Sequence, residues 1–465
     1  MVSTPTATAY QSGLDFLSSP FTSEAANRSM LPLTARQNAL DHLEVGGCDV
    51  VELVKSYGSP LYILDEVTLR KACQQYRQAF ASHYPGESLV IYASKAWNCL
   101  GVCAIVASEG LGIDVVSGGE LFTALEAGFE PDVIYFHGNN KSREEIDLAL
   151  SSDVTLVVDN WQELETIASI SATVTQPVSI LLRMTPGIEC HTHEYIQTGH
   201  LDSKFGFDPT QLEALLRFFE KTPHLQCIGL HAHIGSQIFE LQPHRDLPDV
   251  MVQWLVMAAQ QGLPVKVLDI GGGLGIRYTA SDDPPTIEDW VSVVCQAVTA
   301  ACDRHGLPLP KLIAEPGRSL IGTACVTAYT VGSQKTVPDI RTYVTVDGGM
   351  SDNPRPITYQ SDYCALVANR LSAPCNKTVT IAGKHCESGD VLIRDISLPA
   401  MDSGDILVVM GTGAYNYSMA SNYNRIPRPA AVVVREGSAD LILERETYHD
   451  LVQHDRLPPR LKRGS

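Results

Sequence analysis

Lys95 follows the run SLVIYAS, residues 88–94, where strand-forming side chains give way to an amine. A lysine in that place is ordinarily the solvated end of a strand, because a buried ammonium is costly without a partner. The same place also suits a lysine that attacks a carbonyl and keeps it as a Schiff base, its amine activated by desolvation or nearby charge. Other run ends decide between the two. LDIGGGLGI (268–276) puts Gly271, Gly272 and Gly273 after an apolar run, baring backbone N–H groups that a phosphate can approach. It lacks the lysine of GxxxxGK[ST], which argues against a nucleotide triphosphatase. IAEPGRSL (313–320) then supplies Glu315, Pro316, Gly317 and Arg318. Arginine and bare glycines fit a phosphate ester, whereas a carboxylate beside it makes sense only if it faces a cation, such as a protonated pyridine nitrogen. A lysine for the aldehyde, donors for the phosphate and a carboxylate at the ring nitrogen are the requirements of pyridoxal 5'-phosphate.

Two histidine pairs allow a different reading. His231 and His233, in HAHIGSQ (231–237), alternate along a strand and share one face. A barrel metallohydrolase uses such a pair with further His, Lys and Asp ligands, but on its first strand rather than a late one. In the cofactor reading His233 stacks on the ring, Ser236 holds the phosphate and His231 is structural; no metal is then required. His191 and His193 form a second pair in a polar loop, where a solvated pair is the simpler account.

The elements that carry these residues read as an α/β chain. Eight strand-like runs lie between Leu61 and Ile321: 88–94, 112–117, 133–138, 154–159, 178–184, 227–235, 265–273 and 311–317. Segments such as GGELFTALEAGF and REEIDLALSS, with apolar residues at helical spacing, separate them. The alternation predicts a (β/α)8 barrel of the TIM type over 61–324, with chemistry at the C-terminal ends of its strands. After Cys325 short strand-like runs and turns take over, predicting a mostly antiparallel β domain over 325–450, joined by residues 46–60. Residues 1–45, rich in Ser, Thr and Ala, read as a flexible extension, and the basic end 451–465 as a loose tail.

Composition limits the partners. The 465 residues carry a net charge of −19, which disfavours nucleic acid and anionic membranes and fits a small-molecule enzyme. No apolar run is long enough to span a bilayer, and the N-terminus lacks the basic start and compact apolar segment of a signal peptide. The 12 cysteines show no CxxC pair, so reduced thiols in the cytoplasm are expected.

The motifs YASKA, GIDVVSGGEL, FHGNNKS, HTHEYIQTGHLDSKFGF, HIGSQI, DIGGGLGI, EPGRSL, GGMSDNPRPITY, CESGDVL and GAYNYSMASNYN occur in this order between Asp49 and Arg435. In them the chain resembles the fold-type III pyridoxal-phosphate decarboxylases. The resemblance implies a head-to-tail homodimer whose active sites are completed by the partner's β domain. It implies that Lys95 bonds the cofactor, with Asp114 near it, that His233 stacks on the ring and that Glu315 meets its nitrogen. Ser236, Gly271 to Gly273, Pro316, Gly317, Arg318 and Tyr415 surround the cofactor, and Arg318, Arg355, Tyr359, Glu387 and Tyr415 contact the substrate. Cys386 is the implied proton donor, although a cysteine is more often an ordinary buried thiol; Glu387 and Ser388 beside it favour the functional role. Arg355 is a surface arginine or, in its NPRPITY setting, a carboxylate clamp. CESGD and TGHLDSKFG favour the branch that converts meso-2,6-diaminopimelate to L-lysine and carbon dioxide. Sister enzymes acting on arginine, ornithine or carboxynorspermidine are the alternative. The resemblance does not account for residues 1–45.

Overall fold

The structure, a computed structural model, describes residues 10–18, 21–172, 177–188 and 203–461. His191 and His193 lie outside the described residues. The predicted barrel is present. Its eight parallel strands are Ser88–Ala93, Gly112–Val115, Ile134–Phe136, Thr155–Val158, Val178–Arg183, Leu225–His231, Val267–Asp269 and Lys311–Ala314, and the eighth closes on the first with Leu312 opposite Ser88. Helices run between them, and their starts are written locally. Ser142, for example, caps Arg143–Ser151 in a reciprocal box with Glu145.

The barrel interior is filled from alternate positions of the strands. Ile91, Tyr135, Val157, Leu181, Val267 and Ile313, each from a different strand, form one buried apolar cluster. Gly112 and Gly229 complete the ring where a side chain has no room. A Cβ at Gly229 would stand 2.1 Å from the carbonyl oxygen of Val267. Because inward-facing residues recur every second position, this layer fixes what stands above it.

The second domain is a mostly antiparallel sheet organised around the long strand Cys325–Val337. That strand pairs antiparallel with Arg341–Val346, Ile406–Val409 and Leu61–Asp65. Leu61–Asp65 corrects the predicted boundary, since it belongs to this sheet and not to the barrel. It lies between Cys325–Val337 and Ala430–Arg435, pairing parallel with the latter. Its buried run LYILD reads like a barrel strand, and only its partners tell the difference.

The described part of residues 1–45 is also not loose. Phe16, Phe21, Met30 and Leu31 are buried against the β domain in one cluster with Leu43, Val45 and Leu366. Each such side chain stabilises by roughly 1.5–3 kcal/mol when removed from water. Further on, the fully buried Asn27 donates its side-chain amide to the carbonyls of Gly275 (3.2 Å) and Pro285 (2.9 Å), while its main-chain carbonyl accepts from the Arg277 N–H. The segment thereby straps the β domain to the loop after the seventh barrel strand. At the other end residues 451–461 are mostly exposed, and Arg425 reaches the Leu451 carbonyl and the Asp455 carboxylate. No helix among the described residues is long and apolar enough to cross a membrane.

Candidate active site

Two residues beyond seven of the eight members of the barrel layer stands a polar one: Asp114 after Gly112, His137 after Tyr135, Asp159 after Val157, Arg183 after Leu181, His231 after Gly229, Asp269 after Val267 and Glu315 after Ile313; the eighth, Ile91, is followed by Ala93. All seven are buried. This charged layer lies at the C-terminal ends of the strands, below a cavity of about 650 Å³. Lys95, in the single turn Ser94–Ala96 after the first strand, projects into the cavity with 42 % of its side chain exposed.

The Lys95 amine is 3.5 Å from Asp114 Oδ2. Burial works against its charge, but Asp114, Tyr415 and Glu315 outweigh it and hold the ammonium above its ordinary range. Glu315 is buried at the floor with its carboxylate 2.9 Å from His137 Nε2 and 3.3 Å from His231 Nε2. Burial alone would raise its pKa, yet these two rings keep it well below the usual carboxylate range, so it is an anion. Asp269 moves the other way. Burial, then the Glu315 charge, push it well above the usual range, and it carries the proton of the pair. Burial also lowers His231 to about 4 against the pull of Glu315, so that ring is neutral. The ligating atoms of His137, His231 and Glu315 lie within 4.8 Å of one another, a spacing a cation could also use.

The far wall is built for an anion. Arg318, following the eighth strand, donates Nε and Nη2 to Ser236 Oγ at 3.2 and 3.1 Å and stands 4.8 Å from the centroid of the Tyr415 ring. Gly273 and Gly317 line the cavity. A Cβ on Gly317 would meet Ala93 Cβ at 3.0 Å and Tyr415 Oη at 3.3 Å, and Gly273 holds φ at +126°. Gly271, Gly272 and Pro316 stand behind this wall. Gly272 donates its N–H to His233 Nδ1 (3.1 Å) and so orients that ring, the Gly271 N–H bonds Asp269 (2.9 Å), and the Pro316 carbonyl accepts from Ala93 (3.1 Å). Burial and the Lys95 charge push the His233 ring well below its ordinary pKa, leaving it neutral.

The β domain contributes Arg355 and Tyr359 from the short helix Arg355–Tyr359, and Tyr415 from the loop at 411–416. Tyr415 occupies left-handed backbone (φ 62°) and donates its N–H to the Ala96 carbonyl at 2.8 Å, fastening the two domains beside Lys95. Arg355 is 5 % exposed, and its guanidinium donates to Tyr278, Tyr363 and Ser361 at 2.7, 2.8 and 3.1 Å. Among the described residues neither Arg355 nor Arg318 has a carboxylate within ion-pair distance. The surface reading of Arg355 is therefore corrected: it is buried.

Cys386 and Glu387 are not brought into this cavity. Both are exposed, in the β-domain loop 383–390 that precedes Val391–Leu398. His137, Arg183, Asp269 and Tyr278 are site residues that the strand-end motifs did not pick out. Counting two residues on from each inward apolar position would have found the first three.

The cavity fits pyridoxal phosphate on its own features. Glu315 is a buried anion that lines the cavity and can accept a ring N–H, and a buried arginine beside bare glycines awaits an anion. Lys95 stands in the same cavity.

Comparisons with known proteins agree. Residues 66–322 match the model of the pyridoxal-dependent decarboxylases, pyridoxal binding domain. The chain is 63 % identical to a diaminopimelate decarboxylase of Synechocystis sp., covering 94 % of this chain and 95 % of the relative. It is 47 % identical to that of Bacillus subtilis, covering 91 % and 97 %. The crystal structure of diaminopimelate decarboxylase from M. jannaschii in complex with L-lysine superimposes with a TM-score of 0.86, at 32 % identity, over 92 % of this chain and 99 % of that one. With its barrel matched by the family model and nearly its whole length by these relatives, the chain belongs to the pyridoxal-dependent decarboxylases, among the diaminopimelate decarboxylases.

Proposed function

We propose that this chain decarboxylates meso-2,6-diaminopimelate to L-lysine with pyridoxal phosphate as cofactor, the last step of lysine biosynthesis. The observation that carries the substrate choice is Arg355. A buried guanidinium bonded only to neutral oxygens, in the cavity that holds Lys95, calls for an anion. The distal end of diaminopimelate has such a carboxylate, whereas ornithine ends in an amine alone.

Pyridoxal phosphate, when bound, supplies the conjugated ring that takes up the electron pair left by departing carbon dioxide. Lys95 is the residue that bonds it, and Asp114 holds that amine in place. Glu315 would keep a proton at the ring nitrogen, His233 would pack against the ring, and Ser236, Arg318 and the glycine backbone would hold the phosphate. Arg318, Arg355, Tyr359 and Tyr415 would bind and orient the substrate. The carbon that loses carbon dioxide then needs a proton, and the Cys386 thiol is the donor, with Glu387 pairing the distal ammonium. Both stand outside the cavity of their own chain, which supports a homodimer in which each β domain completes its partner's site. Reduced thiols and a free amino-acid substrate support a cytoplasmic location.

Purified protein given meso-2,6-diaminopimelate should release carbon dioxide and L-lysine in equal amounts. Release from ornithine or arginine, but not from diaminopimelate, would overturn the reading.

A further inference from the structure

Tyr278 lies outside every motif singled out above, yet it sits where the two anion-binding arginines meet. Arg318 comes from the barrel and Arg355 from the β domain, and each donates Nη1 to the Tyr278 hydroxyl at 2.7 Å. The guanidinium carbons stand 5.8 and 5.0 Å from the centroid of the same ring. All three residues are buried, with Tyr278 only 6 % exposed. The two guanidiniums draw the phenol below its ordinary pKa even though burial pushes it up. The Tyr278 side chain also lines the cavity.

The loop that carries this side chain is held from several sides. Asp282 accepts the backbone N–H groups of Tyr278 (3.0 Å) and Thr279 (2.8 Å). The Asn27 amide bridges Gly275 and Pro285 across the loop, and Arg28 of the same N-terminal segment pairs with Asp283. Tyr278 is therefore a fixed point, and the two arginines, bonded otherwise only to neutral hydroxyls, are set by it.

We propose that Tyr278 is a positioning residue that couples the phosphate arginine to the substrate-carboxylate arginine, and so sets the preference for ligands with a distal carboxylate. The inference rests on the reading of Arg355 given above. Two cations that converge on one oxygen repel each other, and an anion on either one relieves that repulsion. Occupying the phosphate site thereby improves the geometry offered to the distal carboxylate, and the reverse also holds.

Tyr278→Phe tests this, since it keeps the ring and deletes only the shared oxygen. Two inhibitors of the holoenzyme are compared: L-lysine, which retains the distal carboxylate, and 1,5-diaminopentane, which has none. Losing a hydrogen bond to a charged group should weaken L-lysine roughly tenfold while leaving 1,5-diaminopentane within about twofold. KM for meso-diaminopimelate should rise in parallel with kcat nearly unchanged. Pyridoxal phosphate, titrated into the apo-protein and read by absorbance, should bind several-fold more weakly. In an Arg355→Ala background the same substitution should add almost nothing to the loss of L-lysine affinity. Equal weakening of both inhibitors, unchanged cofactor binding, or multiplicative effects in the double variant would each overturn the coupling. If the wild-type protein itself shows no preference for L-lysine over 1,5-diaminopentane, the reading of Arg355 falls, and the coupling with it.

Discussion

The barrel floor and the β-domain loop 383–390 hold their reactive groups in opposite ways. On the floor each polar group is buried and placed by strand periodicity, two residues beyond a position of the packed barrel layer. On the loop, Cys386 and Glu387 are exposed while the groups behind them are buried. Asp390 accepts the His385 N–H at 2.9 Å and its ring nitrogen at 2.8 Å, and also the Met350 N–H at 2.7 Å. Asn424, in left-handed backbone, accepts the Cys386 N–H at 2.9 Å. The loop is thus braced from within and presents its reactive face outward, the form expected of a group used by another copy of the chain. On the function proposed above, one region would hold the reagent and the other would deliver the proton.

The contrast can be broken most directly at Lys95. Lys95→Ala should abolish decarboxylation, by roughly a thousandfold or more, and remove the absorbance of the bound cofactor. Full activity in that variant would end the assignment. Cys386→Ala should lower kcat by about a hundredfold, the usual worth of a general acid, while cofactor absorbance stays as in the wild type. Mixing these two inactive variants under conditions of subunit exchange should restore about a quarter of wild-type activity, because half of the dimers then carry one intact site of two. No recovery despite proven exchange would place Cys386 and Lys95 within a single chain. Asp390→Asn, which slackens the loop from behind, should reduce kcat several-fold and leave cofactor affinity untouched; an equal loss in both would refute the separation.

The smallest effect concerns stability. Burial lowers His244 to about 3 and His231 to about 4. An unfolded chain takes up these protons near pH 6.5, so it binds more protons than the folded one between that pH and the folded values. Stability therefore falls as the pH drops through this window. His244 alone should account for about 2 kcal/mol at pH 5, and His244→Gln should shrink the drop in Tm between pH 7 and pH 5. An unaltered drop would show that the ring is protonated in the folded state.

Much of this was legible in the residues. Nearly continuous apolar runs alternating with helical spacing gave the barrel, and the polar residues at the run ends marked Lys95, the glycine turn, Glu315 and Arg318. The allotment of Leu61–Asp65 was not legible, because a strand buried on both faces has the same composition in either sheet. The packed N-terminal segment was hidden because a few apolar anchors hold a stretch whose average composition is that of a flexible one. Tyr278 escaped because its role lies in the meeting of two arginines from different domains, which no spacing records. Cys386 and Glu387 came from family resemblance, since an exposed thiol outside the cavity of its own chain leaves no local pattern.

The position of Leu61–Asp65 also governs how the molecule can be made. The strand is synthesised before any of the barrel, but its two neighbours, Cys325–Val337 and Ala430–Arg435, come after it. During translation this apolar strand must wait with both edges unpaired until Cys325–Val337 has been made, and with one edge open until Ala430–Arg435 follows, a period in which it can pair wrongly. An expression fragment cut to residues 66–322 would lose the strand, and one that stops before Ala430 would leave it with an open edge. Residues 61–443 are thus the shortest stretch in which every strand of this sheet finds its partners.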